Sequence, residues 1–465
     1  MVLFKLKFTV DKSFFISNIE LTNMETQEIL QKAKEERVQF FSLQFADLLG
    51  AVKEVLKPIA ELESALNEGV WFDGSSIEGF ARIQESDLFL KPDPQTYALI
   101  PWTEGRDKTI RFICDIYQAN GQPFKNDPRF VLKQALKKAA RLGFQYNVGP
   151  EPEFYLFEKD NQHSALPIDK GGYFDRASNQ GGKVLQEVVD SLKSFGIKVE
   201  CLHHEVGEGQ YEIDFNYGPA LETADKILTL KYVVRKIADY NGLKATFMPK
   251  PIKGKAGSGM HVHQSLFDES GRDNLFVDDN DFYRLSQTAK YFLAGQLKNI
   301  KGICLGLCPT VNSYKRLVSG FEAPVYITWA SSNRSALIRV PKWFREKPKA
   351  ARLELRCPDG SANPYLAFAL MLAAGLEGIE QKIEPSEPVE ENVYHLDETG
   401  LKNKNIATLP GSLFEAVLWF QESNLAKEVF GEELFNKYLS VKQREWDDFK
   451  VEVCPWELEK YLDIY

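Results

Sequence analysis

The sequence predicts an α+β protein in which a small β-rich domain precedes a larger mixed domain. First, short strand-like runs dominate the chain up to about residue 125. Second, a helical segment, a glycine and a strand carrying charged residues follow one another several times beyond that point. Third, the last third of the chain is mainly helical in pattern. The 465 residues, 44% of them apolar, suffice for two or three domains with a sizeable core.

The β-rich part is predicted to begin after a short polar helix. The pattern of residues 26–37 is helical, and the run FFSLQFADLLG at 40–50 is typical of a strand that ends at a glycine. The runs YALIPW at 97–102 and TIRFICDIY at 109–117 predict further strands. The opening residues mix charges with apolar residues and contain no small-residue cleavage site, which favours an extension over a signal peptide. The predicted boundaries are 1–23 for the extension, 24–125 for the first domain and 126–465 for the second.

The larger domain is predicted from its recurring order of helix, glycine and charged strand. Its first helix has Asp127 as the cap, Pro128 in the first turn and Gly143 as the stop signal. Two further helices, at 182–196 and 222–242, also end at a glycine. The strands that follow these helices are GPEPEFYLF at 149–157, IKVECLHHEVGEGQYEIDF at 197–215, KATFMPKP at 244–251 and GSGMHVHQSL at 257–266.

The overall composition narrows the classes of partner. The net charge is −9, and no basic run is long enough to follow a phosphate backbone, so nucleic acid is not an expected partner. No apolar run approaches the roughly 20 residues of a membrane-spanning helix. The six cysteines are scattered, and the closest pair, in CLGLC at 304–308, has no second pair of zinc ligands nearby. These features predict a protein of a reduced, cytoplasmic compartment without a membrane partner.

Four segments place charged or metal-ligating side chains at alternate positions, which on a strand point to one face. Any one of these groups is compatible with an exposed strand face or with mutual salt bridges. Their coincidence favours a shared site, because carboxylates and imidazoles from different strands are ligands of Mg²⁺ or Mn²⁺, and no cysteine joins them. The side chains are Glu151 and Glu153, Glu212 and Asp214, His261 and His263, and Arg352, Glu354 and Arg356.

Six arginines fall within the 41 residues from 316 to 356. Because arginine forks bind carboxylate and phosphate oxygens, arginines beside a carboxylate metal site predict a nucleotide and an anionic substrate. The residues alone therefore predict metal-dependent phosphoryl transfer, with a metallohydrolase as the alternative. The sequence contains no G-x-x-x-x-G-K-[ST] loop, so a nucleotide would have to bind in a site of another kind. The arginines are Arg316, Arg334, Arg339, Arg345, Arg352 and Arg356.

Two further segments are typical of loops. FDGSSIEGF at 72–80 holds Asp73 in a turn, and SGFEAP at 319–324 holds Glu322 between a glycine and a proline. Asp73 as a simple turn former and Glu322 as an exposed loop residue are equally compatible with these patterns. Spacing alone therefore gives neither residue a function.

Eight motifs in a consistent order resemble those of the type I glutamine synthetases of bacteria and archaea. The resemblance runs from about Met24 to PWELEKY at 455–461. The separation of seven residues between Glu205 and Glu212 and the overall length are similar to the alpha form of that family. The motifs are FDGSSIEGF, GPEPEFYLF, HHEVGEGQYEIDF, FMPKPI, GSGMHVHQSL, PTVNSYKRLVSGFEAP, NRSALIRVP and ANPYLAF.

The resemblance implies an enzyme that uses ATP to join ammonia to the γ-carboxylate of glutamate through a γ-glutamyl phosphate intermediate. It implies an N-terminal β-grasp domain, followed by a catalytic domain with a barrel-like antiparallel sheet and helices. It also implies two or three Mg²⁺ or Mn²⁺ ions per active site and a homododecamer of two hexameric rings. In such an assembly each active site lies between subunits, and Asp73 serves the neighbouring site.

The functional residues of the family map onto this chain motif by motif. The resemblance implies that Asp73 deprotonates ammonium, that Glu322 closes a flap, and that Arg339 stabilises the transferring phosphoryl group. One metal would be held by Glu153, Glu205 and Glu212, and a second by Glu151, His261 and Glu354. Glutamate would be bound by Gly257, Arg316, Arg334 and Arg356, and ATP by Glu200, Tyr217, His263, Ser265, Arg339 and Arg352.

Two details concern regulation and affinity. In the alpha form an arginine after FDGSS takes part in feedback inhibition by glutamine, and Arg82 matches it. A nitrogen-responsive regulatory protein is a candidate partner on the same ground. Ala256 departs from the family pattern, which commonly has asparagine there, so an amide that could hydrogen-bond glutamate is missing.

Two other interpretations compete with this one. A γ-glutamylpolyamine synthetase would use the same metals and ATP with an amine, but Asp73 and the intact FDGSS and SGFEAP motifs favour ammonia. A non-catalytic relative with a structural or regulatory role would be expected to have lost metal ligands. All six expected ligands are present in the sequence.

Overall fold

The computed structural model describes residues 26–77, 87–103, 105–159, 166–320, 323–391, 393, 401, 404 and 406–465. The predicted extension 1–23, Arg82 and Glu322 lie outside these described residues. The chain divides into two units. The smaller is built from most of the described residues up to Pro123, and the larger from Phe124–Tyr465 with the short segments Ala46–Val52 and Ser75–Gln84. The predicted α+β class is confirmed.

The smaller unit is organised around one sheet with the strand order β2-β1-β6-β4-β3, in which β5 also pairs with β6. The central strands β1 and β6 run parallel and are almost entirely buried. Two short helices accompany the sheet, α1 at residues 26–35 and α2 at Leu62–Glu68. The strands are β1 Phe40–Ala46, β2 Val52–Pro58, β3 Val70–Asp73, β4 Asp87–Pro92, β5 Ala98–Leu99 and β6 Thr109–Gln118.

The larger unit is organised around a second sheet with the order β13-β14-β15-β12-β7-β9-β8, and β10 and β11 also pair with β7. The long strand β7 is the hub of this sheet, because it pairs antiparallel with four other strands. The strands are β7 Gln145–Glu158, β8 Val199–His204, β9 Gln210–Phe215, β10 Gly218–Pro219, β11 Leu243–Thr246, β12 Met260–Phe267, β13 Tyr326–Ala330, β14 Ala336–Arg339 and β15 Leu353–Leu355.

Helices surround this sheet, and α8 is apolar and buried on nearly all sides, as expected of a core helix. None of the described helices combines the length and apolarity needed to cross a membrane. The helices are α3 Pro128–Arg141, α4 Asn179–Ser194, α5 Ala220–Tyr240, α6 Gln287–Leu307, α7 Ser313–Arg316, α8 Pro364–Glu380, α9 Leu413–Gln421, α10 Asn424–Phe449 and α11 Pro455–Tyr461.

The predicted helix signals agree closely with the observed boundaries. Asp127 caps α3 by accepting a hydrogen bond from the backbone N–H of Arg129. Helix α4 begins three residues before the predicted Gly182, because Ser178 caps it by accepting from the N–H of Gly181. Local capping chemistry therefore determines where these helices begin.

Candidate active site

The pairing of strands around β7 determines which charged side chains meet. The register places His261 of β12 opposite Glu151, and Glu212 of β9 opposite Glu153. One strand further out, Glu354 of β15 lies opposite His263. Since alternate residues of a strand point to one face, side chains from β7, β9, β12 and β15 converge.

Glu151, His261 and Glu354 form a compact group, which we call the His261 cluster. One ligand atom from each residue lies within 4.8 Å of the others. His261 Nδ1 is 3.6 Å from Glu151 Oε2 and 3.7 Å from Glu354 Oε1. Two carboxylates and an imidazole at this spacing fit the donor set of Mg²⁺ or Mn²⁺.

The electrostatics of the His261 cluster suit a cation. Burial and the nearby Arg356 guanidinium lower the pKa of His261 to about 4, so the ring is neutral and able to act as a ligand. Burial opposes ionisation of Glu151, but its electrostatic interactions and hydrogen bonds with His263 and His261 outweigh burial and lower the pKa of Glu151. Burial likewise opposes ionisation of Glu354, and Arg356 and the two histidines lower its pKa overall. Both carboxylates are therefore ionised around a neutral imidazole.

His203, Glu205 and Glu212 form a second compact group, the His203 cluster, whose ligand atoms also lie within 4.8 Å of one another. His203 Nδ1 is 3.6 Å from Glu205 Oε1, and His203 Nε2 is 3.2 Å from Glu212 Oε1. The sequence pattern missed His203, although its position directly before His204 and Glu205 was a usable signal. The pairing of His203 with Glu212 across β8 and β9 brings it into the group.

Glu153 lies beside the His203 cluster, and its carboxylate accepts two hydrogen bonds within the protein. Its Oε2 accepts hydrogen bonds from Gln210 Nε2 at 2.8 Å and from the N–H of Gly259 at 3.1 Å. Burial and the negative charge of Glu205 raise the pKa of Glu153 to about 8. Burial and Glu153 raise the pKa of Glu212 to about 9. These carboxylates repel one another, and a bound cation would relieve that repulsion.

A cavity of about 400 Å³ opens on one side of the His261 cluster. Glu151 and the preceding residues 148–150 contribute to its wall. Inside it, His263 Nε2 lies 2.7 Å from Glu151 Oε1, and Arg352 Nε donates to His263 Nδ1 at 3.2 Å. The lining includes five of the residues expected to contact ATP, namely Glu200, Tyr217, His263, Ser265 and Arg352.

A second cavity, of about 630 Å³, lies beside the His203 cluster and is lined by Glu153, Glu205, His261 and two buried arginines. Gly257, Arg316 and Arg356, which were expected to bind glutamate, are among its lining residues. Arg316 is fixed by donating to the carbonyls of Cys357 and Arg356 at 2.7 and 3.0 Å. A Cβ at position 259 would lie 2.6 Å from Arg316 Nη2, so glycine lets the guanidinium approach the backbone without being displaced.

Some expected residues outside the two clusters are not among the residues that line these cavities. Arg339 lies opposite Glu354 across β14 and β15, with its Nε 2.5 Å from Glu354 Oε2. Arg334 is exposed and hydrogen-bonds Tyr173. Asp73 ends β3 in the smaller unit, where it is exposed. Glu322 lies outside the described residues, like Arg82.

Two carboxylate–histidine clusters that could each hold a cation, with an arginine-lined cavity beside each, fit a metal-dependent enzyme that binds anionic substrates. Comparison with known families agrees with this class. The family model described as glutamine synthetase, catalytic domain, matches residues 125–461, and that described as glutamine synthetase, beta-Grasp domain, matches residues 37–119. The chain belongs to the glutamine synthetase family.

Individual relatives support the same conclusion along nearly the whole chain. Glutamine synthetase of Clostridium saccharobutylicum is 48% identical, with 94% of this chain and 99% of the relative covered. Glutamine synthetase of Methanosarcina mazei is 47% identical, with 94% of this chain and 98% of the relative covered. Among solved structures, a GmaS/ADP complex has a TM-score of 0.84 at 33% identity and covers 93% of this chain and 99% of that one.

Proposed function

We propose that the chain uses ATP to join ammonia to the γ-carboxylate of glutamate, giving glutamine, ADP and phosphate. The observation that carries this proposal is that Glu151 and His261 of one cluster line different arginine-containing cavities, Glu151 the first and His261 the second. Glutamate and ATP are both anions, so bringing them together needs fixed positive charge. The arginines of both cavities supply part of it.

Arg316 and Arg356 are proposed to bind glutamate. Both are buried, and Arg316 is held by backbone carbonyls, so little side-chain entropy is lost when a carboxylate binds. The exposed Arg334 and the Gly257 backbone complete the proposed glutamate site. Binding in this cavity directs the γ-carboxylate towards the clusters and away from water.

Glu153, Glu205 and Glu212 are proposed to hold one divalent ion, with His203 beside them, and Glu151, His261 and Glu354 a second. When bound, two or three Mg²⁺ or Mn²⁺ ions would supply positive charge that reduces repulsion between the reacting anions. The nucleotide is proposed to lie in the cavity lined by Glu200, Tyr217, His263, Ser265 and Arg352. The ADP in the similar GmaS complex supports a nucleotide site in this fold.

Arg339 is proposed to stabilise the phosphoryl group as it moves to glutamate. Its guanidinium is held against the buried Glu354, which keeps it oriented before substrate binds. A planar fork can hydrogen-bond two equatorial oxygens of the transferring group, as a lysine cannot. Orientation by Glu354 therefore joins the phosphoryl site to the His261 cluster.

Asp73 is proposed to deprotonate ammonium in the active site of a neighbouring subunit, within a homododecamer of two hexameric rings. An exposed carboxylate at the end of a strand is suited to serve a partner chain. Ammonia formed there would attack γ-glutamyl phosphate and release phosphate. Glu322 is proposed to close over the intermediate and exclude water.

The proposed function is tested by phosphate release from ATP and glutamate, with ammonium compared against putrescine and methylamine. We expect phosphate release and stoichiometric glutamine with ammonium, and little turnover with either amine. Omission of Mg²⁺ and Mn²⁺ should abolish turnover. Release with an amine but not with ammonium would replace this function with that of a γ-glutamylpolyamine synthetase.

The flap role of Glu322 makes a separate prediction. In Glu322→Ala, water should reach γ-glutamyl phosphate, so phosphate release should exceed glutamine formation while the wild type gives equal amounts. Glu459→Ala, which alters an exposed glutamate of α11, is the control and should keep equal yields. Equal yields in Glu322→Ala would refute the flap role.

Feedback control through Arg82 is also proposed. Arg82→Ala should leave glutamine synthesis without added effector intact and weaken inhibition by glutamine, measured as the glutamine concentration that halves activity. Arg106→Ala, a substitution of an arginine in another segment of the chain, is the control. If the same glutamine concentration halves the activity of Arg82→Ala and of the wild type, Arg82 takes no part in feedback control.

Ala256 offers a test of glutamate binding. Ala256 lines the second cavity, and its carbonyl accepts a hydrogen bond from Tyr155 at 2.8 Å, which holds the backbone there. Ala256→Asn should lower the KM for glutamate by about 10-fold, since a hydrogen bond to a charged group contributes roughly 1.5–3 kcal/mol. Ala256→Leu has similar bulk without an amide and should not lower the KM. An equal KM in wild type and Ala256→Asn would contradict the prediction.

A further inference from the structure

The paired strands β8 and β9 carry a third group of metal-ligating side chains. Cys201 and His203 alternate along β8, and the register places Asp214 of β9 opposite Cys201. One ligand atom from each of the three residues lies within 4.8 Å of the others. The sequence pattern placed no cysteine among the ligands of the predicted Mg²⁺ or Mn²⁺ site, and cross-strand pairing brings Cys201 to Asp214 in a separate group.

We propose that Cys201, His203 and Asp214 bind a zinc-class divalent ion at the wall of the nucleotide cavity. Sulfur, imidazole nitrogen and a single carboxylate oxygen are ligands that Zn²⁺ accepts together, usually in a tetrahedron. Mg²⁺ prefers oxygen ligands and octahedral geometry, so it competes poorly for a thiolate. The donor set therefore separates this group from the His261 cluster, which contains no sulfur.

Asp214 provides an independent observation in favour of a ligand. Its Oδ1 is buried and has no hydrogen-bond partner among the described residues. A buried carboxylate oxygen without a partner is costly, and such atoms are uncommon in folded proteins. A cation held between Asp214 and Cys201 would satisfy this oxygen.

The group is accessible from the nucleotide cavity. Cys201 is exposed on its strand, and both Cys201 and Asp214 line the cavity wall. Three protein ligands leave a fourth position of a tetrahedral ion for water or for an oxygen of a bound phosphate. Formation of the sulfur–metal bond replaces the thiol proton, which is released to solvent.

A functional consequence follows, and it rests on the proposed function. His203 belongs to both this group and the His203 cluster, where its Nε2 is 3.2 Å from Glu212 Oε1. An ion bound by Cys201 would draw on the same imidazole and occupy part of the nucleotide wall. Zn²⁺ should therefore inhibit glutamine synthesis supported by Mg²⁺.

The metal site is tested without any activity measurement, using Co²⁺ as the spectroscopic probe on the full-length protein in excess Mg²⁺. We expect a thiolate-to-cobalt charge-transfer band, saturating at one Co²⁺ per chain and displaced by Zn²⁺. Cys201→Ser should lose the band, and Cys454→Ser, a change at another exposed cysteine, should keep it. Asp214→Asn should weaken Co²⁺ binding by at least about 10-fold while keeping the band.

Two outcomes would overturn the site: no band in the wild type, or an unchanged band in Cys201→Ser. The circular dichroism of Cys201→Ser should match the wild type, so loss of the band cannot be attributed to unfolding. Inhibition is measured separately, and Cys201→Ser should need at least about 10-fold more Zn²⁺ than Cys454→Ser for half inhibition. A wild type that makes no glutamine would refute the proposed function, whereas the cobalt spectrum would still decide the metal site.

Discussion

Glu354→Gln is expected to reduce kcat for glutamine synthesis by at least about 100-fold and to weaken Mn²⁺ binding. Glu354 is 1% exposed and links three functional groups. It accepts from Arg356, contacts Arg339, and lies 3.7 Å from His261. The amide keeps the shape of the side chain but removes the charge that orients both arginines and binds a cation.

Glu377→Gln is the matched control for this variant. Glu377 also pairs with a cation, since its Oε1 is 2.7 Å from Lys298 Nζ, but it lies on α8 away from both substrate cavities. The control should keep kcat and Mn²⁺ binding, which are measured by initial rates and by titration. Near wild-type kcat in a folded Glu354→Gln would refute the role of the His261 cluster.

Asp225→Ala is expected to lower the free energy of unfolding by about 3–5 kcal/mol, because it leaves a buried guanidinium without its counter-charge. Arg129 of α3 is 2% exposed and binds Asp225 of α5 in a fork, with N–O distances of 3.2 and 3.0 Å. Tyr365 of α8 donates its hydroxyl to the same carboxylate. The network therefore connects three helices that pack behind the catalytic sheet.

Asp239→Ala is the control, since Asp239 lies on the same helix and pairs with Lys159 at the surface. Little change in stability is expected from it, because solvent screens exposed ion pairs. The double variant Arg129→Met with Asp225→Leu should recover part of the loss by removing both charges. Urea unfolding measures all three variants, and equal destabilisation by Asp225→Ala and Asp239→Ala would contradict the prediction.

The candidate site was predictable where local pattern carries the information. Glu151, His261 and Glu354 each belong to a run with alternating charged or ligating residues, so their side chains were expected on one strand face. Their meeting depends on antiparallel register, which places His261 opposite Glu151. The resemblance to the family implies the same grouping.

Other members of the site depend on contacts between strands that no local pattern encodes. His203 enters its cluster because β8 and β9 pair it with Glu212, and Cys201 meets Asp214 by the same register. Gln210 carries no charge signal, yet it fixes the carboxylate of Glu153. The ends of helix α3 can be predicted from the sequence, because Asp127 and Pro128 mark its start and Gly143 marks its end.

The central claim is that these cavities bring ATP to the γ-carboxylate of glutamate. Its most direct test is whether an oxygen atom of glutamate is transferred to the released phosphate. Glutamate labelled with oxygen-18 in both γ-carboxylate positions would be incubated with ATP, Mg²⁺ and ammonium. Each phosphate released should carry one labelled oxygen, because the phosphoryl group accepts the carboxylate oxygen and keeps it when ammonia displaces phosphate. Unlabelled phosphate formed together with glutamine would contradict the account, since the phosphoryl group would then have gone to water.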